Sequence, residues 1–199
     1  GGGDPNAPDY QKPEWEKEGP EGTIPVSAMF LPGRANSRSM KKRNSALPLI
    51  EQVHRDGATA LDLSNKGLDS LPHEIGKLTK LKKLSISRNR LETLPPEIGN
   101  LAHLEELQAD RNRLTWLPHE IGKLTKLKNL NLDSNRLASL PLEIGNLCSL
   151  VELQVASNRL TSLPHHVGNL SNLEGLNLNS NPLRSLPPEI GRLNRLQAL

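Results

Sequence analysis

The chain has 199 residues, about the length of one domain, and its 25 basic and 22 acidic residues give a net charge of +3. So weak a positive balance does not indicate nucleic-acid binding, which usually shows a clustered basic face. Cys148 is the single cysteine, which excludes a disulfide framework and a multi-cysteine zinc site. No apolar run is long enough for a membrane span, so we expect none.

Residues 1–45 have the composition of an extended or disordered tail. They contain six of the sixteen prolines and show no apolar periodicity. Three of the four aromatic residues also lie here, although disordered tails usually lack them. Tyr10, Trp15 and Phe30 are therefore interpreted as anchors that dock the tail. The alternative is a solvated linker.

Residues 46–60 are predicted to form a helical cap on the N-terminal side of the domain. Leu47, Leu49, Ile50 and Val53 are apolar and stand among polar residues, as in an amphipathic helix. Such a helix would cover the apolar side of the element that follows it. Repeat arrays need such caps for solubility.

Residues 61–199 consist of about six repeats of 23 residues. The clearest marker is a Leu-Pro pair, which recurs at this step in every repeat. The pairs begin at Leu71, Leu94, Leu117, Leu140, Leu163 and Leu186. One unit places Leu81, Leu84, Ile86, Asn89 and Leu91 in the pattern L-x-x-L-x-L-x-x-N-x-L, which resembles the leucine-rich repeat.

The repeat pattern predicts an α/β leucine-rich-repeat solenoid, a horseshoe with a parallel sheet on its concave side. Each unit contributes a short strand, such as that around Leu84 to Ile86, whose alternate side chains enter the core. The residues after each Leu-Pro pair return along the convex side as a short helical turn. Leu199 occupies a leucine column where a seventh strand should begin, so we expect the array to be truncated at its C-terminus.

An asparagine stands where the chain leaves each strand, and we call this column the asparagine ladder. Its members are Asn89, Asn112, Asn135, Asn158 and Asn181. A buried amide at this position can bond the backbone groups of neighbouring turns, which would otherwise lack partners. Lys66 holds the position in the first repeat, so the ladder is predicted to be broken there.

The segment Leu94 to Leu101, Leu-Pro-Pro-Glu-Ile-Gly-Asn-Leu, and its equivalents resemble the intracellular Ras-suppressor-like class, which includes the plant intracellular Ras-group repeat proteins. The resemblance extends over residues from about 41 to 199. It implies a non-catalytic, cytoplasmic protein that binds other proteins through its concave face, with a small GTPase among the partners. The interior of an organelle, reached after removal of a targeting peptide, stays open.

The concave face, formed by the outward residues of the strands, is polar and of mixed charge. The residue after each ladder asparagine adds the arginine column, Arg90, Arg113, Arg136 and Arg159. The predicted partner-binding residues are Arg88, Arg90, Asp110, Arg111, Arg113, Asp133, Arg136 and Arg159. Arginines in register could bind an acidic partner segment. The alternative is a solvated consensus charge that pairs with the nearby aspartates.

Trp116 is a candidate hot spot, because the other repeats carry Ser or Thr at its position and the repeat pattern places it at the surface. It could equally be an isolated surface residue without function. No catalytic group or cofactor site is indicated. His73, His119 and His165 share a column but lie two repeats apart, at roughly 10 Å, too far for one metal ion.

Two functions follow from these observations. The first is a regulatory scaffold that binds a signalling protein through the concave face. The alternative is a structural subunit of a large multiprotein or ribonucleoprotein assembly, anchored by the N-terminal tail. The partner is a protein in both cases, either a small GTPase or the subunits of a large complex.

Overall fold

Six short parallel strands lie side by side in chain order in the computed structural model, which describes the backbone of residues 37–199 and the side chains from residue 45. The strands are β1 (Ala60–Asp62), β2 (Lys83–Ser85), β3 (Glu106–Gln108), β4 (Asn129–Asn131), β5 (Glu152–Gln154) and β6 (Gly175–Asn177). Each strand bonds to the strand of the next repeat, so the sheet grows by one strand per repeat. The predicted solenoid with a parallel sheet is confirmed.

Strand pairing follows the 23-residue step without a slip. Leu107 of β3 lies opposite Leu84 of β2 and Leu130 of β4. These central leucines are buried, while the residues on either side of them face outward and are only partly covered. The alternation puts one row of leucines into the core and leaves the concave face polar.

Each repeat returns through a 3₁₀ helix of five residues on the convex side. The helices are His73–Lys77, Pro96–Asn100, His119–Lys123, Leu142–Asn146, His165–Asn169 and Pro188–Arg192. The proline of the Leu-Pro pair stands just before each helix in an extended conformation. Its missing N–H would have no helical partner at that position, so proline is well suited to the start of the turn. The predicted helical return is confirmed.

The core is a continuous stack of aliphatic side chains. Leucine, isoleucine, valine and alanine make up the buried apolar residues of the described part, and none of them is aromatic. No single repeat could bury its apolar face alone, because each face is covered only by the equivalent residues of its neighbours. The aliphatic core expected from the composition is therefore observed.

Helix α1 (Ser37–Asp56) covers the first repeat. Ala46 and Ile50 are fully buried and Val53 packs against the same core, as the amphipathic pattern predicts. Leu49 points away from this side and is exposed. The ammonium group of Lys77 lies 3.4 Å from Glu51 Oε1 and joins α1 to the first 3₁₀ helix.

The helix begins at Ser37 rather than at residue 46, so the predicted boundary of the tail at residue 45 is too late. Residues 37–45 contain neither Gly nor Pro, and Met40 to Arg43 are good helix formers, so the helix continues in the N-terminal direction. Pro48 lies inside it and lacks the N–H that the helical ladder would use there. Tyr10, Trp15 and Phe30 lie outside the described residues.

After β6 the sheet continues only as a single bridge between Gly175 and Ala198. Leu178, Leu183 and Ile190 of the last repeat are half-buried, and Leu199 is exposed. The truncation expected from the sequence stays a prediction. Of the helices between residues 37 and 199, none combines the length and the apolar character that a membrane crossing requires.

Candidate functional site

The asparagine ladder fixes the turn at which each strand ends, and so it sets the shape of the adjoining surface. The Asn135 side chain donates to the carbonyl oxygens of Ala109 and Leu132, both at 3.0 Å, and its oxygen accepts the N–H of Leu114 at 3.0 Å. Its partners belong to two neighbouring repeats. The amide therefore satisfies buried backbone groups on both sides of the turn.

The same bonds recur at the other members of the ladder, as predicted. Those members are Asn89, Asn112, Asn158 and Asn181. At the broken start of the ladder, the exposed Lys66 contributes only its backbone N–H, which donates to Asn89 Oδ1 at 3.1 Å.

The residue before each ladder position adopts a left-handed backbone conformation, with φ between 54° and 57°. Asn65, Ser134, Ser157 and Ser180 hold this position in four repeats, and short polar residues of this kind are common in turns. Arg88 and Arg111 hold it in the other two, at φ 56°. The turn itself does not favour arginine, because a Cβ atom costs about 1–2 kcal/mol in this conformation and arginine lacks the short polar side chain with which asparagine can bond locally.

Amide side chains line the middle of the concave face. Gln108, Asn129 and Gln154 are half-buried, and their side chains make no hydrogen bond to any of the described residues. Asn131 lies among them and accepts the N–H of Asp133 at 3.0 Å. This part of the face is a shallow polar groove in which three amide groups keep their donors and acceptors available to a ligand.

Asp110 and Asp133 occupy equivalent positions in adjacent repeats on the concave face. Ser87 Oγ donates to Asp110 at 2.5 Å, and the N–H of Ala156 donates to Asp133 at 2.7 Å. Burial raises the pKa of Asp133, the Asp110 carboxylate adds to this rise, and the Ala156 bond partly opposes it. Asp133 is therefore a carboxyl group that folding makes harder to ionise.

Arg113 and Arg136 follow these aspartates by three residues in the chain, and all four side chains of the arginine column are exposed. Arg113 and Arg136 place their backbone N–H groups 2.8 Å from the carbonyls of Leu91 and Leu114, so the backbone at the column is held in register. Among residues 45–199, no guanidinium of the column makes a hydrogen bond or an ion pair. The pairing with Asp110 or Asp133, which was the alternative interpretation, is absent from this part of the chain.

Trp116 is 52% exposed, as its place in the repeat predicts, and it follows Arg113 closely in the chain. No contact with another of the described residues assigns it a role, so it stays a candidate hot spot.

His73, His119 and His165, which share a column of the repeats, form no metal site with other described residues. The described residues contain no group of three or more His, Cys, Asp or Glu placed to hold a metal ion.

His166 was not singled out from the sequence. Its Nδ1 atom is buried without a hydrogen-bond partner among the described residues, and its ring lies 3.9 Å from that of His165. The repeat alignment could have drawn attention to it, because His166 replaces a glutamate found in the other five repeats.

Stacked strands, a buried asparagine ladder and an open polar face define a repeat solenoid, a class that binds its partners over an extended surface. The family model described as a leucine-rich repeat region matches residues 60–134 and 118–199. The chain therefore belongs to the leucine-rich repeat family.

Three solved structures are similar to the chain. A leucine-rich repeat protein of Leptospira interrogans is 30% identical, with 75% of this chain and 56% of that chain covered and a TM-score of 0.46. A TDR receptor is 31% identical over 73% of this chain and 27% of its own, with a TM-score of 0.65. The plant peptide hormone receptor RGFR1, in complex with RGF2, is 34% identical over 69% of this chain and 23% of its own, with a TM-score of 0.58.

The chain thus spans between about a quarter and just over half of the length of these proteins. No curated protein matches it. The family and the receptor structures together indicate a protein-interaction module.

Proposed function

We propose that the chain is a non-catalytic regulatory scaffold whose concave face binds a signalling protein. The observation that carries the proposal is the row of half-buried amides without partners at Gln108, Asn129 and Gln154. A folded protein leaves such groups unpaired at a surface where water or a ligand can complete them. The receptor RGFR1, whose structure contains a bound peptide hormone, supports the use of such a solenoid as a binding surface.

The partner that we propose first is a small GTPase, located with this chain in the cytoplasm. This choice rests on the likeness of Leu94 to Leu101 to the Ras-suppressor-like class. A scaffold that reads the active state of a GTPase should bind its GTP form more tightly than its GDP form.

The test is a pull-down of Ras-family GTPases loaded with a non-hydrolysable GTP analogue or with GDP. The first variant joins Asn131→Arg with Gln154→Arg, which places two bulky charged groups in the concave groove. The control joins Asn169→Arg with Ser171→Arg, two exposed positions on the convex side. We expect GTP-dependent capture by the parent and the control and a loss of capture by the first variant. Equal capture by all three would place the partner elsewhere.

A second function is favoured by one observation, the concentration of three of the four aromatic residues within residues 1–45. Aromatic side chains bury the largest apolar areas, and they are common anchors at interfaces. The chain would then be a structural subunit of a large assembly, held by Tyr10, Trp15 and Phe30. Changing Trp15 and Phe30 together to Ala should weaken such an assembly by at least about 2 kcal/mol, the size of a hot spot. An assembly that forms normally with this variant would contradict the second function.

A further inference from the structure

The arginine column has a charge that nothing in the described part of the chain neutralises. Arg113, Arg136 and Arg159 are exposed, and their guanidinium groups have no hydrogen-bond or ion-pair partner among residues 45–199. Lysines elsewhere in the sheet do pair, since Lys83 lies 3.6 Å from Glu106 and Lys128 lies 3.2 Å from Glu105. Lys80, Lys123 and Lys126 also lack such partners among the described residues. What distinguishes the column is that its unpaired cations stand in register in four successive repeats.

The two aspartates that precede Arg113 and Arg136 by three residues do not neutralise the positive charge of the column. Asp110 and Asp133 are occupied by bonds to Ser87 and to the Ala156 N–H. Two residues after Arg90 the chain carries an acid, whereas the equivalent residues after the other three arginines are uncharged. In chain order these four residues are Glu92, Thr115, Ala138 and Thr161. The positive charge is thus least balanced in the central repeats.

The spacing of the column is set by the backbone. The N–H groups of Arg113, Arg136 and Arg159 donate to the carbonyls of Leu91, Leu114 and Leu137 at 2.8, 2.8 and 2.9 Å. Neighbouring arginines therefore stand about one strand spacing apart, roughly 4.8 Å. A ligand that binds here has to order the arginine side chains but not the backbone that carries them, which limits the entropic cost of binding.

The residue type also points to a specific ligand chemistry. Every basic residue of the column is arginine, although lysine is common elsewhere in the repeats. Arg111, two residues before Arg113, holds a left-handed position that is serine or asparagine in four of the six repeats and arginine in one other. A planar guanidinium can bind both oxygens of a carboxylate at once, whereas an ammonium is a point charge.

We propose that Arg113, Arg136 and Arg159, extended by Arg90 and Arg111, dock an acidic, extended segment of the protein partner. This inference rests on the proposed function and names the chemistry of the partner. An extended chain places alternate side chains about 6.6–6.8 Å apart on one face, so two carboxylates can meet the three central arginines. Single-stranded nucleic acid fits less well, because its bases need aromatic platforms and Trp116 is the one aromatic residue of the repeats.

The test uses the full chain and a fluorescent peptide of about ten residues in which Glu alternates with Ser, the spacing of an extended acidic strand. The same peptide with Gln for Glu is the neutral control. Binding is measured by fluorescence anisotropy at low and at moderate salt. We expect the acidic peptide alone to bind, and its affinity to fall with salt because the contact is electrostatic.

Two variants that lose the same number of charges distinguish an effect of the arginine column from an effect of the net charge of the protein. One joins Arg113→Gln, Arg136→Gln and Arg159→Gln, and it should weaken peptide binding by at least about tenfold, because three charge-assisted contacts are lost. The matched control changes Lys80, Lys123 and Lys126, which are exposed on the convex returns, to Gln. It should change the affinity by less than about twofold, because its charges lie away from the column.

A third variant replaces the same three arginines by lysine. It keeps the charge and should still bind more weakly than the parent, because the two-oxygen contact is lost. Equal weakening by the triple variant with Gln at the three arginines and by the control with Gln at Lys80, Lys123 and Lys126 would overturn the proposal, since binding would then follow net charge alone. An oligothymidine strand that binds more tightly than the peptide with the same arginine dependence would also overturn it.

Two outcomes distinguish a failure of the acidic-segment proposal from a failure of the proposed function. If the concave-groove variant loses the GTPase while the arginine variant retains it, the acidic-segment proposal fails and the scaffold proposal stands. If the peptide binds through the arginines but no GTPase is captured, the choice of partner fails and the acidic-segment proposal stands.

Discussion

A single side chain joins two repeats at Asn135. Its amide bonds the backbone at Ala109, Leu114 and Leu132, so one residue closes its own turn and ties it to the preceding repeat. The residue is buried, and water has little access to the groups that it satisfies. Removing the amide would therefore leave backbone groups without partners rather than exchange them for water.

We expect Asn135→Ala to lower the free energy of unfolding by about 2–4 kcal/mol, because two carbonyls and one N–H lose their partner inside the protein. Chemical denaturation of the parent and the variant measures the change. The control is Lys66→Ala, which alters the same column where the side chain is exposed and should cost less than about 0.5 kcal/mol. Equal costs at the two positions would show that the ladder does not stabilise the repeats.

Two aspartates of the concave face should respond to pH in opposite directions. Burial raises the pKa of Asp133, so its ionised form destabilises the fold, and Asp133→Asn should melt at a higher temperature than the parent at neutral pH. This gap should shrink as the pH falls through the raised pKa of Asp133, and it should close below the ordinary aspartate pKa of 3.8, where the carboxyl is protonated in both the folded and the unfolded chain.

Asp62 provides the matched comparison. Hydrogen bonds from the Ser64 hydroxyl and backbone lower its pKa, so its ionised form stabilises the fold above the ordinary aspartate pKa. Asp62→Asn should therefore melt at a lower temperature than the parent at neutral pH, and this deficit should shrink on acidification. Thermal melts between about pH 2 and about pH 7 test both variants, because the Asp62 deficit closes only as the pH falls from the ordinary aspartate pKa of 3.8 through the lowered pKa of Asp62. Gaps of the same sign would contradict the assignment.

At the scale of the element, the 3₁₀ helices stack so closely that a glycine is required in each of them except the last. A Cβ atom added at Gly122 would lie 2.8 Å from the Cβ of Glu143 and 2.9 Å from its carbonyl oxygen. Because the carbonyl belongs to the backbone of the next repeat, it cannot move aside without shifting that repeat. Gly191 is in the same column, and none of the described residues lies within 4 Å of the position that its Cβ would take.

Gly122→Ala should therefore lower the free energy of unfolding by about 1–3 kcal/mol, as overpacking does in other cores. Gly191→Ala, the control within the same column, should be neutral or slightly stabilising, because alanine restricts the unfolded chain without a clash. Denaturation curves of the two variants give both values. A similar loss at Gly191 would mean that glycine is needed for the turn itself and not for the contact between helices.

At the scale of the whole molecule, the stack is quasi-linear. Each 3₁₀ helix packs on its neighbours along the chain, and α1 packs on the first 3₁₀ helix and on β1. Stability in such an array is close to a sum of repeat and nearest-neighbour contributions, so the repeats need not open together. The inner repeats have neighbours on both sides. The last described repeat has one, and Leu178 and Ile190 there are only partly buried.

Native-state hydrogen exchange should therefore show a gradient of protection. The N–H groups of Leu107 and Leu130 lie in central strands and should exchange most slowly, while that of Leu176, which bonds to Ala198 beyond the last strand, should exchange sooner. Mass spectrometry of fragments from each repeat measures the order. Uniform protection from β1 to β6 would show a single cooperative unit and contradict the additive description.

Much of the fold could be predicted from the sequence because every column meets the same surroundings in successive repeats. The strand at Leu84, the helical return after Leu94 and the buried amide at Asn89 followed from their place in the 23-residue unit. The beginning of α1 did not, since residues 37–45 lie before the first repeat and carry no apolar period. Of the candidate site, the sequence indicated which residues face outward, including Trp116 and the arginine column.

The sequence by itself thus determined the repeat step, the aliphatic core and the polar face, because these depend on periodicity and on residue type alone. Only the tertiary structure decided that Arg113 and Arg136 form no ion pair with Asp110 or Asp133. It also decided that Arg111 adopts a left-handed backbone and that Gly122 touches the next repeat. The physical reason is that these features depend on the direction of side chains and on distances of a few ångströms between repeats. Such distances arise only when the repeats are stacked, and no period along the chain records them.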